Sequence, residues 1–370
     1  MQHNVEPTSI GITQLMTITM DGTESAAPRE RDGLTYPFPA KPEPGQSIEV
    51  APGIHWIRLP LPFQLNHINV WALEDGDGLA LVDTGINSPS VQELWQQVWK
   101  GLGGKRVTRI FVTHLHPDHV GLAGWISEVH GAPLHMSRTD YLLCRTLVMD
   151  TGQPAPEEGV AFYKAAGWSE ASLEVYRKRF GGFGAGVYKL PQSYIRLIEG
   201  QEYVIGGNRW RVVVGRGHAP EHACLWCPEK KLMISGDQIL PRISSNVSVF
   251  PTEPEANPLQ EWLDSCRHLR DLIPDDTLVL PAHNEPFRGV RTRMTQLIDD
   301  HEGGMGKILE MCREPKKAVS VFPALFRTKI TSGNYGMATG ESLAHLNCLL
   351  ARGLLTRKRD ENGVDWYQTA

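Results

Sequence analysis

One short segment, residues 113–119 with the sequence Thr-His-Leu-His-Pro-Asp-His, constrains this chain more than any other feature. It directly follows the run Arg-Ile-Phe-Val, which predicts a buried β-strand. In an extended chain, side chains two residues apart lie on the same face, so His114 and His116 can converge on one ion. The proline that follows suits the first turn of a helix, from which Asp118 and His119 can turn toward a second ion. The spacing therefore predicts a metal site between a strand and a helix.

Other apolar runs in the sequence also end in a residue type that binds metal ions or orients their ligands. Beside the 113–119 segment, these residues are Asp83, His218, Asp237 and His283. The strands predicted to precede the five positions are residues 79–82, 107–112, 209–214, 231–235 and 277–280. Because the carboxyl ends of strands in an α/β sheet meet around a crevice, we expect these side chains to lie together. Imidazole and carboxylate ligands without thiolates suit Zn(II), with Fe(II) and Mn(II) as alternatives, and open coordination positions favour a catalytic role.

The pattern along the chain divides it into three parts. Residues 1–48 are rich in Thr, Ser, Pro and Glu, show no sustained period, and predict a mobile or surface-draped arm. Residues 49–300 alternate strand and helix patterns, which is typical of an α/β domain, and contain a predicted helical insert at about 137–201. Residues 301–370 predict three helices followed by a hairpin, the order found in winged-helix domains. The helices predicted within the insert cover about residues 139–149, 157–166 and 170–180.

Charge and cysteine content limit the classes of partner and compartment. With 37 basic and 42 acidic residues the net charge is -5, so the chain has no overall basic field that would attract nucleic acid. From Arg313 onward, however, nine basic residues stand against five acidic ones. The sequence predicts neither a membrane span nor a signal peptide. Six cysteines scattered through 370 residues are unlike a disulfide framework, and a reducing cytoplasm is the expected compartment.

The series of strand ends resembles the metallo-β-lactamase superfamily, specifically its glyoxalase II-like branch, over about residues 50–300. This resemblance implies an αββα sandwich with two metal ions. It also implies ligand roles: the first metal would be held by His114, His116 and His218, the second by Asp118, His119 and His283, and Asp237 would bridge them. Asp83 would accept a hydrogen bond that orients one ligand. The tail, through residues 340–346, resembles the winged-helix appendage of the lactamase-β-like branch. The helical insert and this tail differ from glyoxalase II itself.

The implied activity is hydrolysis of a small carbonyl substrate, a thioester, lactone or ester, by a metal-bridging hydroxide. Asp118 and Asp237 are the expected catalytic carboxylates. Asp118 either holds or relays the leaving-group proton or, because a bound cation lowers its pKa, serves only to orient water. The aromatic-rich insert predicts an apolar cap that favours a compact substrate. His222, four residues after His218, and Arg242, just beyond Asp237, are candidates for substrate contact.

Three other functions compete with this hypothesis. A metal-dependent phosphodiesterase or single-strand endoribonuclease is favoured by the basic tail, through which the C-terminal domain would bind nucleic acid. A persulfide dioxygenase on the same scaffold would hold one iron through two His and one Asp, which the full second set of ligands argues against. A non-catalytic scaffold normally lacks some ligands, whereas this chain has them all. The sequence gives no indication of oligomeric state, and a small-molecule substrate is the expected partner.

Overall fold

The structure is a computed structural model that describes residues 28–63 and 65–370. Its strands form two short hairpins and two larger sheets. The N-terminal hairpin consists of β1 (Arg29–Arg31) and β2 (Leu34–Tyr36). The first large sheet has the order β3 (Ser47–Ala51), β4 (Ile54–Pro60), β5 (His67–Asp75), β6 (Gly78–Val82), β7 (Val107–Phe111), β8 (Leu134–Met136) and β9 (Ile195–Arg196). The second has the order β10 (Glu202–Ile205), β11 (Asn208–Gly215), β12 (His222–Cys227), β13 (Leu232–Gly236) and β14 (Leu278–Pro281). The C-terminal hairpin consists of β15 (Leu355–Arg359) and β16 (Asp365–Thr369).

The inner faces of the two large sheets share one hydrophobic core. Trp56 and Trp71 from the first sheet, with ring centroids 6.2 Å apart, and Trp210 from the second are almost completely buried there. Large aromatic side chains bury more apolar area than any other residues, so this layer contributes strongly to stability. In the first sheet β6 to β9 are parallel, and in the second β13 and β14 are parallel. The strands that end in candidate ligands therefore run toward a common edge.

Helices cover the outer face of each large sheet. In chain order the helices are α1 (Pro89–Gly101), α2 (Pro117–Val120), α3 (Ala123–His130), α4 (Arg138–Met149), α5 (Glu157–Ala165), α6 (Glu170–Arg179), α7 (Pro258–Leu272), α8 (Val290–Met311), α9 (Phe322–Leu325) and α10 (Tyr335–Ala351). Apolar side chains of α1 and α3 pack on the first sheet, and those of α7 and α8 pack on the second. The layers are therefore helix, sheet, sheet, helix, and the expected αββα sandwich is confirmed.

The insert contains α4, α5 and α6 within one or two residues of the predicted helices. Strand β9 then returns the chain to the first sheet. It has only two residues, which is too short for a strand pattern in the sequence. One aromatic side chain of the insert, Trp168, packs against the C-terminal region. Trp168 donates a hydrogen bond to Thr339 Oγ1 (2.9 Å) and lies 4.9 Å from the ring of Tyr335. These aromatic side chains therefore join the insert to α10.

The predicted N-terminal arm is anchored at one point of the described structure. Residues 1–27 lie outside the described residues, and most of residues 28–48 are exposed or half-buried, but two side chains of β2 are not. Leu34 is fully buried and Tyr36 nearly so, and both belong to the core between the second sheet and its helices. A three-residue strand is too short to show a period, and the burial of its side chains depends on partners more than 200 residues away, such as Phe287.

The C-terminal region is continuous with the main domain. Helix α8 runs through residue 301, where the sequence predicts a domain boundary, and its buried side chains join those of α7 and α10 in one core. Short helices, α10 and a hairpin follow in the predicted order, and the winged-helix assignment stays a prediction. Within the described ranges, no helix combines the length and apolar character that a bilayer-crossing segment needs.

Candidate metal centre

The seven predicted metal-binding side chains lie at one edge of the sandwich. Strands β7, β11, β13 and β14 each end a few residues before one of them, as the sequence predicts. The structure groups ligand atoms within 4.8 Å of one another in three overlapping sets. These sets are His114, His116 and His218; His114, His119 and Asp237; and Asp118, His119 and His283. The side chains therefore form overlapping groups that could hold a metal ion.

The first three histidines converge through their ring nitrogens. His114 Nε2 lies 2.8 Å from His116 Nδ1 and 3.3 Å from His218 Nε2. His114 and His116 share a face because the chain is extended between them, whereas His218 arrives from the loop after β11. Three imidazoles in this arrangement are a common ligand set for Zn(II).

Asp237 lies between the two groups of ligands. Its Oδ2 is 3.4 Å from His218 Nε2, and its Oδ1 is 3.6 Å from His119 Nε2 and 3.3 Å from His283 Nε2. His283 Nε2 is also 3.5 Å from Asp118 Oδ2. One carboxylate thus faces both groups, which is the arrangement of a bridging ligand.

Two buried polar atoms test whether a cation fits. His119 Nε2 and Asp237 Oδ1 are buried and have no hydrogen-bond partner in the described structure. A buried polar atom without a partner costs free energy, and such exceptions in a native fold need an explanation. Both atoms point into the same space, so a divalent cation there would satisfy them. The residues fit a metal centre.

The protonation states of His114 and His116 differ from those of His119 and His283. Burial lowers the pKa of His114 well below its ordinary value and that of His116 to about 3, so both rings are neutral and ready to bind a metal. Burial also lowers the pKa of His119, but the carboxylates of Asp83, Asp118 and Asp237 outweigh it and raise that pKa well above its ordinary value. For His283 burial is likewise outweighed, chiefly by Asp237, and the pKa rises to about 9.

Comparison with known families agrees with this geometry. Residues 64–283 match the family model described as the metallo-beta-lactamase superfamily, which is more than half of the chain. This chain belongs to the metallo-beta-lactamase superfamily. Residues 305–370 match the model of a metallo-beta-lactamase-like C-terminal domain. The protein is a metallo-hydrolase of this superfamily, and its His and Asp side chains form the candidate metal centre.

Three similar proteins illustrate the range of relatives. A crystal structure of a beta-lactamase domain protein from Burkholderia ambifaria is 39% identical, with a TM-score of 0.84, over 91% of this chain and 98% of that one. The probable metallo-hydrolase YqjP of Bacillus subtilis is 26% identical over 83% of this chain and 95% of its own length. The human acyl-coenzyme A thioesterase MBLAC2 is 21% identical over 65% of this chain and 81% of its own length.

Asp83 orients one histidine of this superfamily member, in the role the sequence predicts. Its Oδ2 lies 2.8 Å from His119 Nδ1, and its Oδ1 accepts the backbone N–H of Thr113 at 2.8 Å. Asp83 has a φ of 63°, an unusual backbone conformation for a residue other than glycine. The hydrogen bonds of its side chain hold it in this conformation.

Two further histidines are oriented by backbone carbonyls that the sequence analysis does not identify. His218 Nδ1 donates to the carbonyl oxygen of Asn246 (2.7 Å), and His283 Nδ1 donates to that of His67 (2.7 Å). Each bond fixes the ring tautomer and leaves Nε2 free for a metal. Every residue type offers a backbone carbonyl, so no sequence signal marks these partners.

His222 lies beneath Asp237, and its full burial departs from the expectation that it contacts substrate. Its ring is fully buried, and its Nε2 accepts the backbone N–H of Asp237 at 3.0 Å. Burial holds the pKa of His222 well below its ordinary value, so the neutral ring can act as this acceptor. The fit is close: a Cβ added at Gly236 would lie 2.6 Å from the His222 ring. His222 therefore positions Asp237.

Arg242, the other candidate for substrate contact, is engaged with the protein. Its guanidinium lies 2.6 Å from Glu285 Oε2 and over the ring of Tyr36, with its Cζ 5.5 Å from the ring centroid. Glu285 is buried, and Lys41 pairs with its other oxygen at 2.8 Å. Arg242 is thus held by a carboxylate that it shares with Lys41, and its predicted contact with substrate stays a prediction.

Asp140 is a supporting residue that sequence reasoning missed. Its buried carboxylate accepts the backbone N–H of Leu115 (3.1 Å) and of Glu221 (2.8 Å), as well as the hydroxyl of Ser137 (3.0 Å). It therefore ties the first metal loop to the loop that carries His218. In the sequence it resembles any acidic residue in the first turn of a helix, where a negative charge is favourable in itself.

Proposed function

We propose that this protein is a binuclear metal-dependent hydrolase of small carbonyl substrates: thioesters first, then lactones and other esters. The observation that carries the proposal is the complete set of seven ligand side chains, with Asp237 facing both groups. The human relative named as an acyl-coenzyme A thioesterase supports the choice of a thioester.

The described residues would hold two divalent cations, with Zn(II) preferred over Fe(II) or Mn(II). Neutral His114 and His116, together with His218, suit one ion, and Asp118, His119 and His283 suit the other. When bound, such a pair supplies hydroxide at neutral pH and polarises a carbonyl oxygen.

Asp118 is the carboxylate best placed to handle a proton. Burial raises the pKa of its carboxyl, but His119 and His283 outweigh it and hold that pKa below its ordinary value, so the group is ionised. Its side chain is 19% exposed, against 10% for Asp237, which makes it the more accessible carboxylate. Because a lowered pKa makes this carboxylate a weak base, we give it a secondary role: it orients the attacking water, and any proton it takes from that water passes on to the leaving thiolate or alkoxide.

The structure gives less support to a nuclease. Four of the nine basic residues of the tail are paired with acidic side chains: Arg313 with Glu310, Arg352 with Glu302, Arg357 with Glu255 and Arg359 with Asp365. Such pairing weakens the field that steers a polyanion toward a surface. For a dioxygenase with a single iron, the grouping of Asp118, His119 and His283 beside the first site would have no use.

A parallel rate comparison tests the proposed function. The Zn(II)-loaded protein is offered a hexanoyl thioester, a γ-lactone and a fluorescent single-stranded RNA, and iron-loaded protein is tested for oxygen consumption with a persulfide. We expect carbonyl turnover that chelation abolishes and that His116→Ala lowers by at least a hundredfold. His268→Ala, which removes an exposed histidine of α7, is the matched control and should retain full activity. Metal-dependent RNA cleavage, or oxygen consumption by the iron form, without carbonyl turnover would refute the proposal.

A further inference from the structure

An apolar groove of about 550 Å³ lies beside the metal centre. Three segments form its walls: residues 60–63 after β4, residues 86–91 at the start of α1, and the 3₁₀ turn Gly182–Gly186 that ends the insert. Pro117 also lines it, and the two chain neighbours of this proline are both candidate metal ligands. The groove is thus adjacent to the metal loop, and its volume is that of a small-molecule site.

The lining identifies the chemistry of the occupant. No side chain among the described residues of the groove is charged. Phe63 is 59% exposed at its edge. The apolar side chains of the walls include Leu61, Phe63, Ile86, Val91, Phe183 and Ala185. An uncharged apolar wall does not compensate the desolvation of a phosphate or carboxylate, but it favours hydrocarbon.

The polar groups at one end of the groove already have partners inside the protein. Ser88 Oγ accepts the backbone N–H of Val91 (3.3 Å) and lies 3.1 Å from Ser90 Oγ. The backbone N–H of Asn87 donates to the carbonyl of Gly186 (3.0 Å). A ligand therefore does not have to satisfy these groups, and an apolar one leaves none of them unpaired.

The wall formed by the glycine-rich turn is packed directly on the metal loop. A Cβ added at Gly186 would lie 2.8 Å from Pro117 Cβ, and one added at Gly121 would lie 2.6 Å from the carbonyl oxygen of Gly186. Such contacts leave no room for a side chain at either position. The turn is consequently packed on the metal loop, and an acyl chain in the groove would lie next to that loop through Pro117.

We propose that this groove binds the aliphatic acyl chain of the substrate, so that the protein prefers longer acyl thioesters to acetyl thioesters. This inference rests on the proposed function and specifies the class of substrate that the proposed hydrolase prefers. Each methylene that enters the groove is removed from water, which predicts a rise of about fourfold in kcat/KM per methylene until the groove is filled.

A chain-length series with two wall variants tests the groove. Acyl thioesters from two to twelve carbons, all with the same thiol, are compared for wild type, Ala185→Phe and Ser90→Phe. Ala185 and Ser90 are exposed residues on two of the three wall segments, so larger side chains there occupy the groove without entering the core. We expect both variants to lose most of the gain in kcat/KM between the acetyl and the dodecanoyl thioester that the wild type shows. Ala171→Phe, at an exposed position of α6 outside the groove, is the matched control and should keep the wild-type series.

A binding assay separates failure of the groove from failure of the proposed function. It measures the binding of dodecanoate through the displacement of a fluorescent fatty acid. If no acyl thioester is hydrolysed but Ala185→Phe weakens dodecanoate binding at least tenfold and Ala171→Phe does not, the groove is supported and the proposed function is refuted. Hydrolysis at rates independent of chain length, or dodecanoate binding unaffected by both wall variants, overturns the groove proposal.

Discussion

At the scale of single residues, three candidate metal-binding histidines are held in place by a hydrogen bond from one ring nitrogen, while the other ring nitrogen faces the metal centre. Asp83 holds His119, and backbone carbonyls hold His218 and His283. Because one ring nitrogen carries the hydrogen-bonded proton, the other is left as a metal ligand. The residues that support the ligands are therefore expected to affect metal affinity almost as directly as the ligands themselves.

The substitution Asp83→Asn tests this role. It removes the charge beside His119 while keeping nearly the same shape, and we expect metal affinity to fall about 10- to 100-fold. Competition with a chromophoric chelator measures this change, and Asp77→Asn, in an exposed turn, is the matched control. Equal affinities for the two variants would show that Asp83 does not orient the site.

Proton release on metal binding tests the protonation pattern. In the metal-free protein at pH 7, His283, with a pKa of about 9, and His119, with a strongly raised pKa, are imidazolium cations. His116, with a pKa of about 3, is neutral. Metal must displace the protons of the first two, so we expect release of about two protons at pH 7 and stronger binding as the pH rises toward 9.

Calorimetric titrations in buffers of different ionisation enthalpy count these protons. His283→Gln should release about one proton fewer, whereas His268→Ala should match wild type. The raised pKa of His283 also stabilises the metal-free fold. This stabilisation is full below the unfolded pKa of about 6.5 and is lost as the pH rises through 9. Metal uptake without proton release at pH 7 would contradict the assignment.

At the scale of elements, α10 is hydrogen-bonded to the loop that follows β13. The backbone N–H of Val249 donates to the carbonyl of Gly340 (3.0 Å), and Asn246 Nδ2 donates to Glu341 Oε2 (2.8 Å). The carbonyl of the same Asn246 accepts the proton of His218. A helix of the C-terminal region is thus connected to a metal ligand by two hydrogen bonds.

Substitutions at Glu341 test this connection. Glu341→Ala leaves Asn246 Nδ2 without its acceptor, and we expect the affinity for the first metal to fall about fivefold, equivalent to about 1 kcal/mol. Glu341→Gln keeps an acceptor oxygen and should restore most of the affinity. Cobalt(II) titration followed by visible absorption measures both affinity and ligand geometry. Glu310→Ala, at an exposed position of α8, is the control, and a loss equal to that of Glu341→Ala would refute the connection.

At the scale of the whole molecule, one core links the sandwich to the C-terminal region. Trp262 and Leu263 of α7 share this core with Leu346 of α10, and all three are almost completely buried. The insert contacts the same helix through Trp168. The C-terminal region is therefore expected to unfold together with the second sheet.

Calorimetric unfolding of the metal-free protein tests this cooperativity. Leu346→Ala creates a cavity in the shared core and should destabilise the protein by about 2–5 kcal/mol, with the whole transition shifting. Leu354→Ala, where the side chain is 43% exposed, should change stability by about 0.5 kcal/mol or less. A separate early transition in Leu346→Ala would show that the C-terminal region unfolds independently.

The sequence by itself determined the features that depend on local order. The alternation of apolar strands and helices predicts the sandwich and the three helices of the insert, and the spacing of His114, His116, Asp118 and His119 predicts a metal loop. These patterns are readable because side-chain direction follows the period of the backbone over a few residues. The positions of His218, Asp237 and His283 could be placed with them because strand ends share an edge.

Only the tertiary structure decided the features that depend on distant contacts. Leu34 and Tyr36 of β2 are buried against residues more than 200 positions away, and the carbonyls of His67 and Asn246 have no residue-specific signal. His222 and Arg242 were expected to meet substrate, yet each binds a partner inside the protein. Burial and pairing depend on which segments the fold brings together, and a local pattern carries no information about a contact formed 200 residues away.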